Sequence, residues 1–162
     1  MGPYLDTSAL AKWYLNEPYS EEFEALIQEQ PTAAISRLTV VEFRCLLARR
    51  RRAREITKTI ESRVYAAFEN DVGAGFLQVY PVSDEHLIAA LGLVTQLGKY
   101  PLRTLDALHL AIAQGIRCRQ LATGSRARLR FYRHGKALRR TLGGGQGDSP
   151  PPPALRRQSR SA

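Results

Sequence analysis

The sequence predicts an α/β fold in which helices cover both faces of a short parallel sheet. Four short apolar segments alternate with stretches whose apolar residues recur at helical spacing. Strands that alternate with helices in this way form βαβ units around a parallel sheet. Because the strand segments are largely apolar, both of their faces are expected to be buried. A chain of 162 residues has the length of a single domain.

The strand and helix segments follow one another along the first 123 residues. The predicted strands are Pro3–Asp6, Ala33–Ser36, Phe76–Val82 and Cys118–Thr123. Ser20, Ser83 and Thr104 precede helical segments, and their hydroxyl groups are typical N-caps. Gly98 and Gly115 are typical of helix ends. The predicted helices are Thr7–Leu15, Glu21–Gln30, Leu38–Arg52, a stretch from about Ala53 to Asn70, Asp84–Leu97 and Leu105–Gln114.

The composition excludes several classes of protein. Apolar residues make up 44% of the chain, which is enough for a core and excludes a wholly disordered protein. Apolar runs such as Ala107–Ala113 fall far short of the roughly 20 residues of a membrane span, and no secretory signal is visible. Cys45 and Cys118 are too few for a disulfide framework or a four-ligand zinc site. We therefore expect a cytoplasmic protein without membrane contact, whose two cysteines are reduced and buried.

The net charge of +9 is concentrated at the C-terminus. Residues 1–125 hold equal numbers of acidic and basic residues, whereas residues 126–162 hold a single acid, Asp148. This charge fits either a polyanionic partner or a solvated basic tail. We predict a folded domain over residues 1–125 and a basic segment of undefined structure over residues 126–142. The Gly-, Pro- and Arg-rich residues 143–162 are predicted to be disordered.

Three acidic residues occupy positions where a ligand could bind. Asp6 ends the first predicted strand, Glu42 lies early in the helix after the second strand, and Asp106 lies in the first turn of its helix. In an open parallel sheet, ligands bind beyond the carboxyl ends of the strands, where the strand order reverses. Converging carboxylates repel unless a cation neutralises them, and oxygen ligands favour Mg²⁺ or Mn²⁺. Each acid also has a structural interpretation. Asp6 could be a turn residue, Glu42 could lie on a solvated helix face, and Asp106 could complement the helix dipole. Spacing alone leaves both interpretations open.

Three short motifs carry a resemblance to a known family. They are YLDTSAL at Tyr4–Leu10, TVVEF at Thr39–Phe43 and LDALHLA at Leu105–Ala111. Residues 1 to about 123 thereby resemble the PIN-domain ribonucleases, and most closely the VapC-type toxins of bacterial toxin–antitoxin pairs. The resemblance implies a three-layer α/β/α sandwich with a short parallel sheet. It also implies that Asp6, Glu42 and Asp106 are catalytic and bind Mg²⁺ or Mn²⁺, with Thr7 or Ser8 as hydroxyl neighbours.

The function implied by this resemblance is that of a metal-dependent endoribonuclease toxin. Such a toxin hydrolyses RNA phosphodiester bonds, is inhibited by a cognate antitoxin protein and forms a homodimer. The family usually places a fourth acid after the fourth strand, in a Thr-x-Asp pattern, whereas this chain has Thr123, Gly124 and Ser125. Thr123 and Ser125 are therefore candidate auxiliary residues only. The alternative is a non-catalytic RNA- or antitoxin-binding module that lacks the fourth acid.

Beyond residue 125 the chain also departs from the family, which continues with a short helix and a final small strand. An Arg-rich run stands here instead, so either the protein is a degraded member or its C-terminus is altered, for example by a change of reading frame.

Other residues near the motifs have two interpretations each. His109 follows Asp106 by three residues on the same helical face, as a packed histidine or as a proton shuttle. The cluster of Arg49–Arg52 and Arg54 is either a solvated helix end or a surface that contacts phosphates. The aromatic residues after the first motif are expected to pack in the core or against a partner; they are Trp13, Tyr14 and Tyr19.

Overall fold

The computed structural model describes residues 2–17, 20–118, 120–125, 128–133 and 136–138. Within these ranges, helices flank a six-stranded sheet. The strands are β1 (Tyr4–Leu5), β2 (Ala33–Ser36), β3 (Leu77–Tyr80), β4 (Leu121–Ser125), β5 (Arg128–Arg133) and β6 (Lys136–Leu138). The helices are α1 (Thr7–Tyr14), α2 (Ser20–Gln28), α3 (Arg37–Arg52), α4 (Lys58–Gly73), α5 (Asp84–Gln96) and α6 (Thr104–Gly115).

The strand order is β3-β2-β1-β4-β5-β6. The first four strands of this order are parallel, and β5 and β6 continue the sheet in antiparallel pairing. Tyr4 of β1 is in register with Ala34 of β2 and with Leu121 of β4, so β1 has a strand on either side. The chain proceeds from β1 to β2 and β3 on one side and returns to β4 on the other. The strand order therefore reverses at β1, where a ligand site is expected.

Different helices pack on the two faces of the sheet, as a three-layer α/β/α sandwich requires. Tyr4 packs with Ile112 of α6, and α5 packs on the outer side of α6. The next residue, Leu5, packs in a separate and larger core with Phe43 of α3 and residues of α1, α2 and α4. Successive residues of a strand point to opposite faces, so α1–α4 cover one face and α6 covers the other. The predicted fold class is confirmed.

Side-chain caps determine where several helices begin. Asp6 is the N-cap of α1, and its carboxylate accepts a hydrogen bond from the backbone N–H of Ala9. The predicted start of this helix at Thr7 agrees with the structure. Ser36 caps α3 and accepts from the backbone N–H of Thr39, whose hydroxyl accepts in turn from the backbone N–H of Ser36. Both caps lie at the carboxyl ends of central strands, so they position polar groups at the edge where the strand order reverses.

The predicted start of α4 was wrong, whereas the predicted end of α3 at Arg52 is confirmed. A further helix was expected from about Ala53, but α4 begins at Lys58. Arg54 adopts a left-handed backbone conformation, with φ of 58°, which interrupts the helix without glycine or proline. Thr57 then caps α4 by accepting a hydrogen bond from the backbone N–H of Ile60.

Two strands lie where the sequence predicted no element. β5 and β6 fall within the basic segment 126–142, and β5 pairs with β4 from Leu121 opposite Tyr132 to Ser125 opposite Arg128. Strand pairing satisfies backbone groups whatever the side-chain charge, so an Arg-rich segment can extend the sheet. The disorder predicted for residues 143–162 lies outside the described residues, as does Tyr19.

Aromatic residues of α1 and the two cysteines test further expectations. Tyr14 is buried and donates to Asp71, and Trp13 packs against the same core, which confirms core packing. The expectation of two buried cysteines was wrong, since Cys45 is exposed and Cys118 is half-buried. Over the described residues, no helix is at once long enough and apolar enough to cross a bilayer.

Candidate active site

Asp6 lies at the carboxyl end of β1, the strand at which the order reverses. Only 8% of the residue is exposed. Its Oδ1 accepts hydrogen bonds from the hydroxyl of Ser8 and from the backbone N–H of Ala9, both at 2.8 Å, and Thr123 of β4 bonds the same carboxylate. Burial raises the pKa of Asp6, and the hydrogen bonds from Thr123, Ala9 and Ser8 oppose that rise without cancelling it. The negative charge of this carboxylate is therefore destabilised where it lies.

Glu42 lies in the second turn of α3 and is held by two side chains. Its Oε2 accepts from the hydroxyl of Thr7 at 2.5 Å and lies 2.7 Å from Nε2 of His109. Burial raises the pKa of Glu42, but the hydrogen bonds from His109 and Thr7 outweigh it, so the net direction is downward. The other oxygen, Oε1, has no hydrogen-bond partner among the described residues. Glu42 thus remains ionised with one oxygen held and one available.

A buried hydrogen-bond chain behind Glu42 was not predicted from the sequence. Nδ1 of His109 lies 2.8 Å from the phenol oxygen of Tyr4, which donates to the hydroxyl of Ser36 at 2.9 Å. Burial raises the pKa of Tyr4 to about 12, although its hydrogen bonds with Ser36 and Thr39 act in the opposite direction. A signal for Tyr4 was present, because it precedes Asp6 by two residues and side chains with that spacing share one side of a strand.

Asp106 occupies a different environment from the other two acids. Its side chain is exposed, and its Oδ2 accepts from the backbone N–H of Arg103 at 3.3 Å, at the start of its own helix. His109, expected on the same helical face as Asp106, is buried and contacts Glu42 instead. Across the described ranges, no three His, Cys, Asp or Glu side chains are close enough to hold a metal ion together. The site of three acids therefore stays a prediction.

The predicted auxiliary hydroxyl groups form hydrogen bonds with two different acids, Asp6 and Glu42. Thr7 donates to Glu42, whereas Ser8 and Thr123 bond Asp6. Ser8 also accepts from the backbone N–H of Gly124 at 2.7 Å, which connects α1 to β4. Ser125 is the last residue of β4, and its side chain lies outside what the structure describes.

The donor chemistry at Asp6 and Glu42 suits a hard divalent cation. Mg²⁺ and Mn²⁺ prefer carboxylate and other oxygen ligands over nitrogen or sulfur ligands. A buried carboxylate with a raised pKa is stabilised when a cation approaches it, and Asp6 is such a group. Glu42 contributes an ionised carboxylate with one unpartnered oxygen. These two residues therefore fit a cation of this kind, with Asp106 as the third ligand that the motifs predict.

The arginine cluster near the end of α3 is partly used within the fold. Arg51 forms an ion pair with the buried Glu61 at 2.7 Å, and Arg50 pairs with Glu17. The remaining arginines of the cluster are exposed; they are Arg49, Arg52 and Arg54. Two arginines of the cluster thus form ion pairs within the fold, and the other three are exposed to solvent.

Comparisons with known proteins identify one family and similar solved structures. The family model described as PIN domain matches residues 4–134. VapC20 of Mycobacterium tuberculosis, described as a toxin that cleaves the sarcin-ricin loop, is 15% identical with a TM-score of 0.60, over 76% of this chain and 90% of that one. A toxin–antitoxin complex from Klebsiella pneumoniae is 22% identical with a TM-score of 0.51, over 74% of this chain and 83% of that one. A search of curated proteins finds no match.

Proposed function

This chain belongs to the PIN domain family, and we propose that within it the protein is a metal-dependent endoribonuclease toxin that hydrolyses RNA phosphodiester bonds. The resemblance seen in the sequence is confirmed at the family level. The observation that carries the proposal is the pair of carboxylates, Asp6 and Glu42, held by hydroxyl groups beside β1, where the strand order reverses. The toxins described among the structural neighbours support the choice within the family.

In the proposed mechanism, Asp6, Glu42 and Asp106 would hold one Mg²⁺ or Mn²⁺. A cation held there would lower the pKa of a bound water and offset negative charge on the phosphate oxygens. Ser8 and the backbone N–H of Ala9 keep Asp6 oriented through hydrogen bonds of 2.8 Å. These contacts fix the carboxylate before substrate arrives, so little reorganisation is needed at the reacting centre.

The proposed partners follow from the same assignment. The substrate is RNA, which agrees with the net charge of +9. The inhibitor is a cognate antitoxin protein, a proposal supported by the toxin–antitoxin complex among the neighbours. The compartment is the cytoplasm, where RNA is available and where the free thiols of Cys45 and Cys118 stay reduced.

A cleavage assay on the full chain tests the proposed function. We expect purified protein to cut single-stranded RNA in Mn²⁺ or Mg²⁺ and to stop when EDTA removes the cation. The control is an equal preparation of Glu85→Gln, a change at an exposed acid of α5 outside the site. If RNA is bound but not cut at any metal concentration, the alternative of a non-catalytic binding module replaces the enzyme.

Replacing Ser125 by aspartate is expected to increase cleavage. Ser125→Asp restores the acid of the family pattern at the end of β4, beside the strand that leads to Asp6. An added charge strengthens cation binding, so the increase should be larger at sub-saturating than at saturating Mg²⁺. The measurement is the initial rate against Mg²⁺ concentration, with Ser125→Asn as the uncharged control. Identical curves for the aspartate and asparagine variants would contradict the expectation.

We also propose that the protein forms a homodimer through α5. Four large apolar side chains of this helix are between 43% and 69% exposed; they are Leu87, Ile88, Leu91 and Val94. Their spacing places them on one face of the helix, and a contiguous apolar face of this kind is typical of an association surface. The family resemblance supports a second copy of the chain as the partner.

A single charged substitution in the apolar face of α5 tests the proposed dimer. Leu91→Glu is expected to shift the protein from dimer to monomer, because a carboxylate would be desolvated in the interface. The measurement is the mass by light scattering after size-exclusion chromatography, across a dilution series. Gln96→Glu adds the same charge on the opposite side of α5 and should leave the mass unchanged. A monomer in the unmodified protein, or a dimer in Leu91→Glu, would exclude this interface.

A further inference from the structure

A chain of buried hydrogen bonds joins the central strand of the sheet to a candidate metal ligand. Tyr4, fully buried in β1, lies 2.8 Å from Nδ1 of His109 in α6. Nε2 of the same ring lies 2.7 Å from Oε2 of Glu42 in α3. The two contacts span sequence separations of 105 and 67 residues. Both nitrogens of one imidazole are thus engaged, one by the sheet and one by the carboxylate.

We propose that Tyr4 and His109 are positioning residues that orient Glu42 toward the divalent cation. This inference rests on the proposed function and adds two residues to its site. Oε2 of Glu42 is occupied by His109 and Thr7, and Oε1 has no partner among the described residues. Holding one oxygen fixes the rotation of the carboxylate and therefore the direction in which the other oxygen is presented.

The position of Tyr4 explains how the ring of His109 can act as a fixed support. An imidazole that contacts only Glu42 could turn about its Cβ–Cγ bond, whereas a second contact through Nδ1 stops that rotation. Tyr4 is itself fixed, because β1 pairs with strands on both sides and the phenol donates to Ser36. Partners of this kind, one contact removed from a metal ligand, orient the ligand and influence metal affinity.

Three substitutions separate this role from a purely structural one. Tyr4→Phe removes only the phenol oxygen. His109→Gln places an amide near the position of Nε2 and keeps a donor for Glu42, whereas His109→Asn places an amide near Nδ1 and loses the contact to Glu42. Mn²⁺ affinity without RNA is measured from the electron paramagnetic resonance signal of free Mn²⁺, alongside thermal unfolding. The unmodified chain and Asp6→Asn are measured in parallel.

We expect His109→Asn to weaken Mn²⁺ binding by about 10- to 100-fold and to lower kcat at saturating Mn²⁺ without raising the KM for RNA. His109→Gln should retain most of the affinity, and Tyr4→Phe should lose part of it. Because Tyr4 acts through His109, Tyr4→Phe should have no further effect on Mn²⁺ affinity in the His109→Gln background.

Two results would overturn the inference. One is Mn²⁺ affinity equal to that of the unmodified chain in both Tyr4→Phe and His109→Asn, with lower thermal stability, which would assign the chain of bonds to folding alone. The other is a loss of Mn²⁺ affinity on Tyr4→Phe that is as large in the His109→Gln background as in the unmodified chain. Failure of the proposed function itself gives a different pattern, since the unmodified chain would then bind Mn²⁺ no better than Asp6→Asn.

Discussion

Asp6→Asn is expected to abolish metal-dependent RNA cleavage and to raise the thermal unfolding midpoint of the metal-free protein. Burial destabilises the charge of Asp6, so removing that charge relieves a cost of folding. Asparagine is also a good N-cap, and its side-chain oxygen can still accept from the backbone N–H of Ala9. The substitution therefore separates charge from helix capping. The measurements are initial cleavage rates in Mn²⁺ and unfolding scans in EDTA.

The stabilisation by Asp6→Asn should depend on pH in a defined direction. The pKa of Asp6 is raised in the folded protein above the ordinary value of 3.8, which applies to the unfolded chain. The folded state therefore holds the proton of Asp6 more tightly than the unfolded state. Stability due to this group is then present at low pH and is lost as pH rises from about 3.8 through the folded pKa. The difference between variant and unmodified protein should be small in acid, grow over that window and then stay constant.

Glu42→Gln is the matched control, because the pKa of Glu42 shifts in the opposite direction. Its carboxylate is stabilised in the folded protein by His109 and Thr7, despite its burial. Its contribution is present above the ordinary value of 4.5 and is lost as pH falls. Glu42→Gln should therefore lower stability near neutral pH, whereas Asp6→Asn raises it. The same sign for both variants would contradict the electrostatic account of the site.

Added Mn²⁺ should reverse the order of stability between unmodified protein and Asp6→Asn. A ligand that binds only the folded state stabilises it by about 2.7 kcal/mol at a concentration one hundred times its Kd. The unmodified protein should gain this stabilisation, and the variant should gain little. Cleavage by Asp6→Asn, or equal stabilisation of both proteins by Mn²⁺, would remove Asp6 from the metal site.

The four parallel strands were the most predictable part of the sheet, whereas β5 and β6 were not predicted. Ala33–Ser36 was predicted with the bounds that β2 has in the structure. All four of its residues are buried, so the apolar character of the segment reports burial on both faces directly. Helix ends were less predictable where they depend on backbone conformation. Arg54 is left-handed although arginine has no preference for that region, and nothing in its residue type indicates the break that delays the start of α4 to Lys58.

The candidate site was predictable for the residues that lie in local motifs. It was not predictable for contacts that form only when distant segments pack together. The motifs gave Asp6 and Glu42, but the partner of His109 could not be derived from helical spacing. Residues three apart on a helix differ by about 60° around its axis, so one can be buried while the other is exposed. His109 is 4% exposed and faces the sheet, whereas Asp106 is exposed. Only the packing of α6 against β1 brings His109 to Tyr4.

The glycine between Thr123 and Ser125 provides a second test of large effect, because Gly124 lies against α1. A Cβ at position 124 would stand 2.8 Å from the backbone oxygen of Ser8, closer than such atoms approach in folded proteins. The backbone N–H of Gly124 donates to the hydroxyl of Ser8, and that hydroxyl donates to Asp6. A methyl group here must displace β4 from α1 and would disturb the hydrogen bonds that orient Asp6.

Gly124→Ala is therefore expected to lower the free energy of unfolding by about 1–3 kcal/mol, the usual cost of overpacking, and to reduce cleavage strongly. Gly92→Ala is the matched control, because nothing lies within 4 Å of a Cβ built there and the residue is inside α5. Alanine favours a helix over glycine, so this control should gain about 0.5–1 kcal/mol and keep full activity. Chemical unfolding and cleavage rates of both variants are the measurements. If Gly124→Ala is as stable and active as Gly92→Ala, the close contact between β4 and α1 does not hold Asp6 in place.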